Sequence, residues 1–260
     1  MQIFKIPLNA GALDKKKGLE KAPDKITEHL KDFYLTEKGM LPLFDVKEIR
    51  VDNNNLEQSH ASIQKEIEKI NAYSILIGGD HSITYPSFKA FAKNNPGSGM
   101  IIFDAHPDVQ EKHEPPTHED YLRVLIEKGI LDKNNVILVG IRNTSKEEKK
   151  FIDEHKIKNY SMREISFESL REIADSIMSV ARHWEKIYIS IDIDVLDPSF
   201  APGTGYQEPG GMSTRDLIYF IQRLKMLRNL GMADVVEVNP DKDINDITSK
   251  TSAKIVVELG

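Results

Sequence analysis

The chain contains no cysteine. That absence excludes a disulfide framework, a thiolate nucleophile and any Cys-ligated zinc or iron–sulfur site, and it leaves His, Asp and Glu as the strong metal ligands. Long apolar runs are missing as well: no stretch approaches the ~20 residues of a membrane span. An excess of positive charge is also absent. Lys and Arg number 35 against 41 Asp and Glu, for a net charge of −6. This argues against nucleic acid as a partner, because that binding rests on clustered cations; a small cationic partner suits the balance better. Met1 to Ala10 lacks the charged-then-apolar order of a secretory signal, so a cytoplasmic protein without a membrane partner is expected.

What is present is an ordinary globular composition, 40% hydrophobic and 29% charged over 260 residues, long enough to bury most of the surface that the unfolded chain exposes. Short β-branched runs alternate with longer amphipathic ones, the pattern of a mainly parallel sheet covered on both faces by helices. Strands are predicted at Gln2–Pro7, Val46–Val51, Ser74–Ile77, Met100–Phe103, Val136–Val139, Lys186–Ile191 and Asp234–Val238. Helices are predicted at Pro23–Lys38, Leu56–Asn71, Ile83–Lys93, Glu119–Lys128, Asp216–Leu230 and Thr248–Leu259, the fifth capped by Ser213 or Thr214 and ended by Gly231. Ser145 and Glu148 form a capping-box pattern, and Leu170, Ile173, Ile177, Ala181 and Trp184 make one apolar stripe, read as core packing. No repeat or linker interrupts the chain, so residues 1–260 read as one domain.

The polar residues fall where the apolar runs end. Ser74–Ile77 leads into Gly78-Gly79-Asp80-His81, Met100–Phe103 into Asp104-Ala105-His106-Pro107-Asp108, Lys186–Ile191 into Asp192-Ile193-Asp194, and Asp234–Val236 into Glu237. Ligand crevices of open α/β sheets lie beyond the carboxyl ends of the strands. Asp104, Asp108, Asp192 and Asp194 would therefore converge, and two carboxylates ~4 Å apart repel by ~4 kcal/mol even at an effective dielectric of ~20. Two divalent cations balance the four charges, with His81 and His106 as neutral imidazoles completing the shell. Oxygen-rich shells with one imidazole per ion favour Mn²⁺ over Zn²⁺, and such a pair is a known device for activating water.

Simpler readings stand beside this one. Asp80 suits a helix cap, Asp197-Pro198 suits turn chemistry, the glycines of Pro202-Gly203-Thr204-Gly205 suit a tight loop, and Gly78-Gly79 alone is weak evidence for phosphate. The coincidence of three motifs at three strand ends decides between them.

Gly78-Gly79-Asp80-His81-Ser82, Asp104-Ala105-His106-Pro107-Asp108, and Ser190 through Pro198 with Pro202-Gly203-Thr204-Gly205 resemble the three metal-binding signatures of the ureohydrolase (arginase/agmatinase) family. Gly18–Pro23 resembles the family's N-terminal segment, and Val236–Pro240 its late strand end. The resemblance implies a three-layer α/β/α fold around a mainly parallel, doubly wound sheet of about eight strands. It also implies two manganese ions, one held by His81, Asp104, Asp108 and Asp192, the other by Asp104, His106, Asp192 and Asp194. Glu237 matches the acid that orients a substrate guanidinium.

The implied reaction is hydrolysis of a guanidino compound to urea and an amine. Water activated between the ions attacks the guanidinium carbon, Asp194 takes a proton, and a histidine near the mouth protonates the leaving amine. His118 is preferred over His113, because it opens the predicted helix Glu119–Lys128 as the family histidine does; an exposed helix-capping histidine is the plain alternative. Gln207–Gly211 and Ser82-Ile83-Thr84 resemble the agmatinase branch, and Glu111 would repel a carboxylate, so agmatine is favoured over arginine, with another guanidino or formimino compound behind. Glu119 stands where the family carries glycine. A phosphate-ester hydrolase would need a cation near the metals, and Arg142 and Arg215 are the nearest in sequence. A catalytically idle, metal-stapled oligomer is the third reading. By analogy the assembly is a trimer or hexamer.

Overall fold

A computed structural model describes residues 1–13 and 17–260. Among the described residues, eight parallel strands form one sheet: β1 Gln2–Ile6, β2 Asp45–Glu48, β3 Ser74–Gly78, β4 Gly99–Phe103, β5 Val136–Ile141, β6 Lys158–Ser161, β7 Ile187–Asp192 and β8 Leu230–Val236. They lie in the order β2-β1-β3-β8-β7-β4-β5-β6. The helices are α1 Ala22–His29, α2 Leu56–Ile67, α3 Thr84–Asn94, α4 Tyr121–Glu127, α5 Lys146–His155, α6 Met162–Phe167, α7 Leu170–Ala181, α8 Thr214–Leu224 and α9 Ile247–Leu259. No helix of the described residues is long and apolar enough to cross a membrane.

The period-two alternation of the strands builds two cores. Ile75 and Ile77, Ile101 and Phe103, Ile137 and Val139, and Ile187, Ile189 and Ile191 face α1, α7, α8 and α9. Leu76, Met100 and Ile102, Val136 and Leu138, Tyr188, and Met232 and Val236 face α2, α3, α4 and α5. The central strands are apolar on both faces because both are covered, which is why their sequences read as continuous hydrophobic runs. The fold is the three-layer α/β/α arrangement expected.

The structure corrects several boundaries and adds a strand. The helix expected over Pro23–Lys38 stops at His29 and tightens through Leu30–Asp32, and Phe33 is extended. The helix expected over Leu56–Asn71 ends at Ile67. The one expected over Asp216–Leu230 ends at Leu224, and Gly231 lies inside β8, packed against the Phe91 ring. The eighth strand, β6, carries Lys-Asn-Tyr-Ser with every side chain half-buried. It is an edge strand with neither an apolar run nor an alternation to mark it. The stripe on α7 is core, as its spacing requires: Ile173, Ile177 and Ala181 are buried.

Candidate metal centre

Three strand ends use one device. Asp80 accepts the N–H of Ser82 at 2.9 Å, Asp104 that of His106 at 2.6 Å, and Asp192 that of Asp194 at 2.8 Å. An Asp side chain bonding the backbone two residues on closes a tight turn, so each strand ends abruptly and turns its next polar residue into the crevice. At Asp80 capping is the whole story, since its other oxygen accepts the Gly11 N–H at 2.9 Å. Asp104 and Asp192 keep a second oxygen free for the cluster, and Asp194 does the same after accepting the Ala105 N–H at 3.1 Å. Gly79 is required by close approach: a Cβ there would lie 1.8 Å from the Leu8 carbonyl oxygen. Asp197 is turn chemistry, accepting from Ser199, Gly210 and Gly211.

The free groups meet at the ends of β3, β8, β7 and β4, which are consecutive in the sheet. His81 Nδ1 lies 3.3 Å from Asp104 Oδ2, 3.0 Å from Asp108 Oδ2 and 3.3 Å from Asp192 Oδ2. His106 Nδ1 lies 3.6 Å from Asp104 Oδ1 and 3.0 Å from Asp194 Oδ2. His81, Asp104 and Asp192 form one group able to hold a metal ion, and Asp104, His106 and Asp194 a second, with Asp104 common to both. Asp108 and Glu237 have φ of 53° and 63°, a left-handed backbone that costs ~1–2 kcal/mol in L-residues. Both sit at the cavity, where the strain aims their side chains.

Electrostatics show why the donor set demands cations. Burial, then the charge of Asp104, pushes Asp108 up to about 7. Burial, then Asp194 and Asp104, raises Asp192 well above the carboxylate range, and burial with Asp104 raises Asp194. Burial opposes charge on His81 and His106 too, yet the surrounding groups, Tyr121 and the carboxylates for His81 and Asp104 and Asp194 for His106, drive both far above the ordinary histidine value. Protons thus compensate the clustered charge, and divalent ions would replace them. His81 Nδ1 and Asp104 Oδ2 are buried without a hydrogen-bond partner, as expected of atoms reserved for a metal. The residues fit a pair of cations.

Beside the cluster lies a cavity of about 270 Å³ lined by His81, His106, Asp108, Asp192, Asp194, His118 and Glu237, together with Gln110, Glu119, Asn143, Glu148, Tyr206 and Glu208. Glu237 Oε1 accepts the His81 backbone N–H at 2.9 Å and the His118 Nδ1–H at 3.0 Å. Burial opposes charge on both partners. Glu237 nevertheless holds His118 at about 9, and His118 lowers Glu237. Against that, the Leu13 N–H points at His118 Nε2 at 3.0 Å; an N–H aimed at that nitrogen requires it to be unprotonated, so in this arrangement the ring is neutral with its proton on Nδ1. His113 lies outside the cavity, with its side chain about half exposed. His118 precedes α4 by three residues rather than opening it, because Asp120 ties the loop by accepting from Thr117 and from the His113 N–H.

Neither of the two arginines nearest in sequence lines the cavity. The Arg142 guanidinium donates to the carbonyls of Asp194, Val195, Leu196 and Glu208. Arg215 pairs with Glu37 away from the cavity. No Lys or Arg of the described residues lines the cavity, so none of them supplies the cation that the phosphate-ester reading needs. Glu111 is exposed and lies off the cavity wall, where Gln110 stands instead. Sequence reasoning passed over the lining by Asn143 and Tyr206 and the buried hydroxyls around Asp234. A lone acid inside the apolar run of β8 was the available signal for the last.

The site is thus a carboxylate-rich crevice at the carboxyl edge of an open parallel sheet, with two donor groups able to hold metal ions, a setting that suits a metal-dependent hydrolase. The sequence matches the Arginase family over residues 1–260. A formimidoylglutamase from Halalkalibacterium halodurans is 33% identical over 228 residues, covering 84% of this chain and 72% of that protein. An arginase from Staphylococcus aureus is 29% identical over 250 residues, covering 83% of each. The crystal structure of formimidoylglutamase from Bacillus subtilis superposes with a TM-score of 0.94 at 27% identity, covering 99% of this chain and 85% of that one. The chain belongs to the arginase family, and is a metal-dependent hydrolase of linear amidine C–N bonds.

Proposed function

We propose that residues 1–260 form a single catalytic unit that hydrolyses a guanidino amine, agmatine above all, to urea and putrescine. The observation that carries the substrate is the charge of the cavity. Two divalent ions balance Asp104, Asp108, Asp192 and Asp194, and a guanidinium balances Glu237. Glu119, Glu148 and Glu208 remain in a wall that no Lys or Arg of the described residues lines, and the Arg142 guanidinium behind Glu208 is spent on main-chain carbonyls. That excess favours a second positive charge at the far end of the substrate and disfavours a carboxylate.

His81, Asp104, Asp108 and Asp192 would hold one ion, and Asp104, His106, Asp192 and Asp194 the other. The oxygen-rich donor set suits Mn²⁺. When bound, the pair supplies Lewis acidity and the means of activating water at neutral pH. Glu237 Oε2 is free to accept a substrate N–H, and the planar guanidinium fork fixes rotation as well as position. His118, by donating from Nδ1, holds Glu237 for that task. Asp194 would accept a proton, as the resemblance implies. For His118 to protonate the departing amine, Nε2 must exchange the Leu13 N–H for a proton.

The formimidoylglutamase relatives favour a second reading, hydrolysis of formimidoylglutamate. Assaying Mn²⁺-loaded protein with agmatine, arginine and formimidoylglutamate, scoring urea and formamide, separates the two. Urea chiefly from agmatine supports the proposal; formamide alone overturns it, and no product from any of the three favours the idle reading.

A further inference from the structure

Asp234 takes no part in the centre as described, yet its surroundings are built with care. It is fully buried, on the face of β8 shared with Met232 and Val236 in the second core. Its carboxylate accepts from Ser190 Oγ at 2.6 Å on one oxygen, and from Tyr188 OH at 2.6 Å and Thr84 Oγ1 at 2.8 Å on the other. All three donors are neutral hydroxyls. A carboxylate taken out of water costs several kcal/mol, so three donors aimed at an acid inside an apolar layer call for a reason beyond packing.

The register supplies one. Ser190 of β7 lies directly beside Asp234 of β8 and shares a strand face with Asp192, two residues on. Because the Ser190 hydroxyl gives its hydrogen to Asp234, its lone pairs face His81 Nε2 at 2.8 Å. That nitrogen must then keep its proton, so the lone pair that a cation beside Asp104, Asp108 and Asp192 would take is the one on Nδ1. Tyr121 closes the other side, with its hydroxyl 3.1 Å from Nε2 and its ring 4.5 Å from the imidazole. The partner of a ligating histidine's remote nitrogen sets the tautomer and basicity of the ligating one.

We propose that Asp234, acting through Ser190, is the positioning residue that holds His81 as the Nε2–H tautomer and so sets the affinity of the metal position His81 serves. This rests on the reading of His81 as a ligand. The test compares wild type, Ser190→Ala, Asp234→Asn and Thr84→Val by calorimetric titration with Mn²⁺, and by ring ¹⁵N NMR of the proteins loaded with diamagnetic Zn²⁺. Thr84→Val removes one donor from Asp234 without breaking the path to His81. Ser190→Ala and Asp234→Asn are expected to weaken one of two ions ~10- to 100-fold, to spare the other, and to lose one histidine's Nε2–H signature, while Thr84→Val keeps both properties. Wild-type affinities and tautomers in Ser190→Ala, or equal losses in Thr84→Val, would overturn the proposal. Should Asp234→Asn fail to fold, Ser190→Ala decides alone. A wild type that binds no Mn²⁺ would instead refute the metal centre itself.

Discussion

Replacing Glu119 by Gln removes a charge from the cavity wall while keeping the shape of the side chain. Glu119 is 29% exposed, and the Tyr206 hydroxyl donates to its Oε1 at 2.7 Å, so the carboxylate is held at the cavity rather than swinging in solvent. A substrate ammonium ~4 Å away would gain ~4 kcal/mol at an effective dielectric of ~20. Partial exposure and side-chain ordering reduce such pairs to ~1 kcal/mol, about a fivefold change in binding. Urea release is followed against concentration for agmatine and for n-butylguanidine, which keeps the guanidinium and the chain length but lacks the terminal amine. Glu119→Gln is expected to raise KM for agmatine about fivefold, to leave n-butylguanidine unchanged, and to make the preference less sensitive to salt. Equal effects on the two compounds would refute the claim that the wall selects a second cation, and a wild type indifferent to the terminal amine would refute the substrate assignment.

His118→Asn should lower kcat by about 10²-fold with both ions still bound on metal analysis; unchanged turnover removes His118 from the reaction. His60 is 6% exposed, and burial holds its ring down at about 4. Its stabilising contribution is complete above ~6.5 and is lost as pH falls toward 4, because the unfolded state binds the extra proton first, a loss of roughly 3 kcal/mol. Urea denaturation of wild type and His60→Phe between pH 7.5 and 4 should therefore show curves that converge on acidification, and parallel curves would show that His60 is not responsible. Gly79→Ala drives a methyl into the Leu8 carbonyl and is expected to cost about 3 kcal/mol or more in the same assay; a neutral result would mean that the strand ends can part.

Much of this was legible in the chain because the same residues serve structure and chemistry. Buried parallel strands must be continuous apolar runs, so Ile75–Ile77 and Met100–Phe103 announced themselves, and polar residues placed abruptly after them stood out. The edge strand Lys158–Ser161 was hidden because an edge needs no apolar signature. The end of α1 was hidden because Phe33 and Tyr34 continue an amphipathic pattern that the backbone abandons. At the site, convergence of His81, Asp104, His106, Asp108, Asp192 and Asp194 followed from strand ends alone. The fates of Arg142, spent on carbonyls, and of His118, bonded by the Leu13 amide, depended on loop paths that no local spacing encodes.

The strand order carries a further consequence for how the molecule is made. β8, which follows the other seven described strands in sequence, lies between β3 and β7 and joins the sheet half built from β1 to β3 with the half built from β4 to β7. Until it inserts, His81 and the aspartates after β4 and β7 belong to two unconnected pieces. Only closure of the sheet therefore brings His81 to within 3.3 Å of Asp104, Asp108 and Asp192, whereas His106, Asp104 and Asp194 already share the other half.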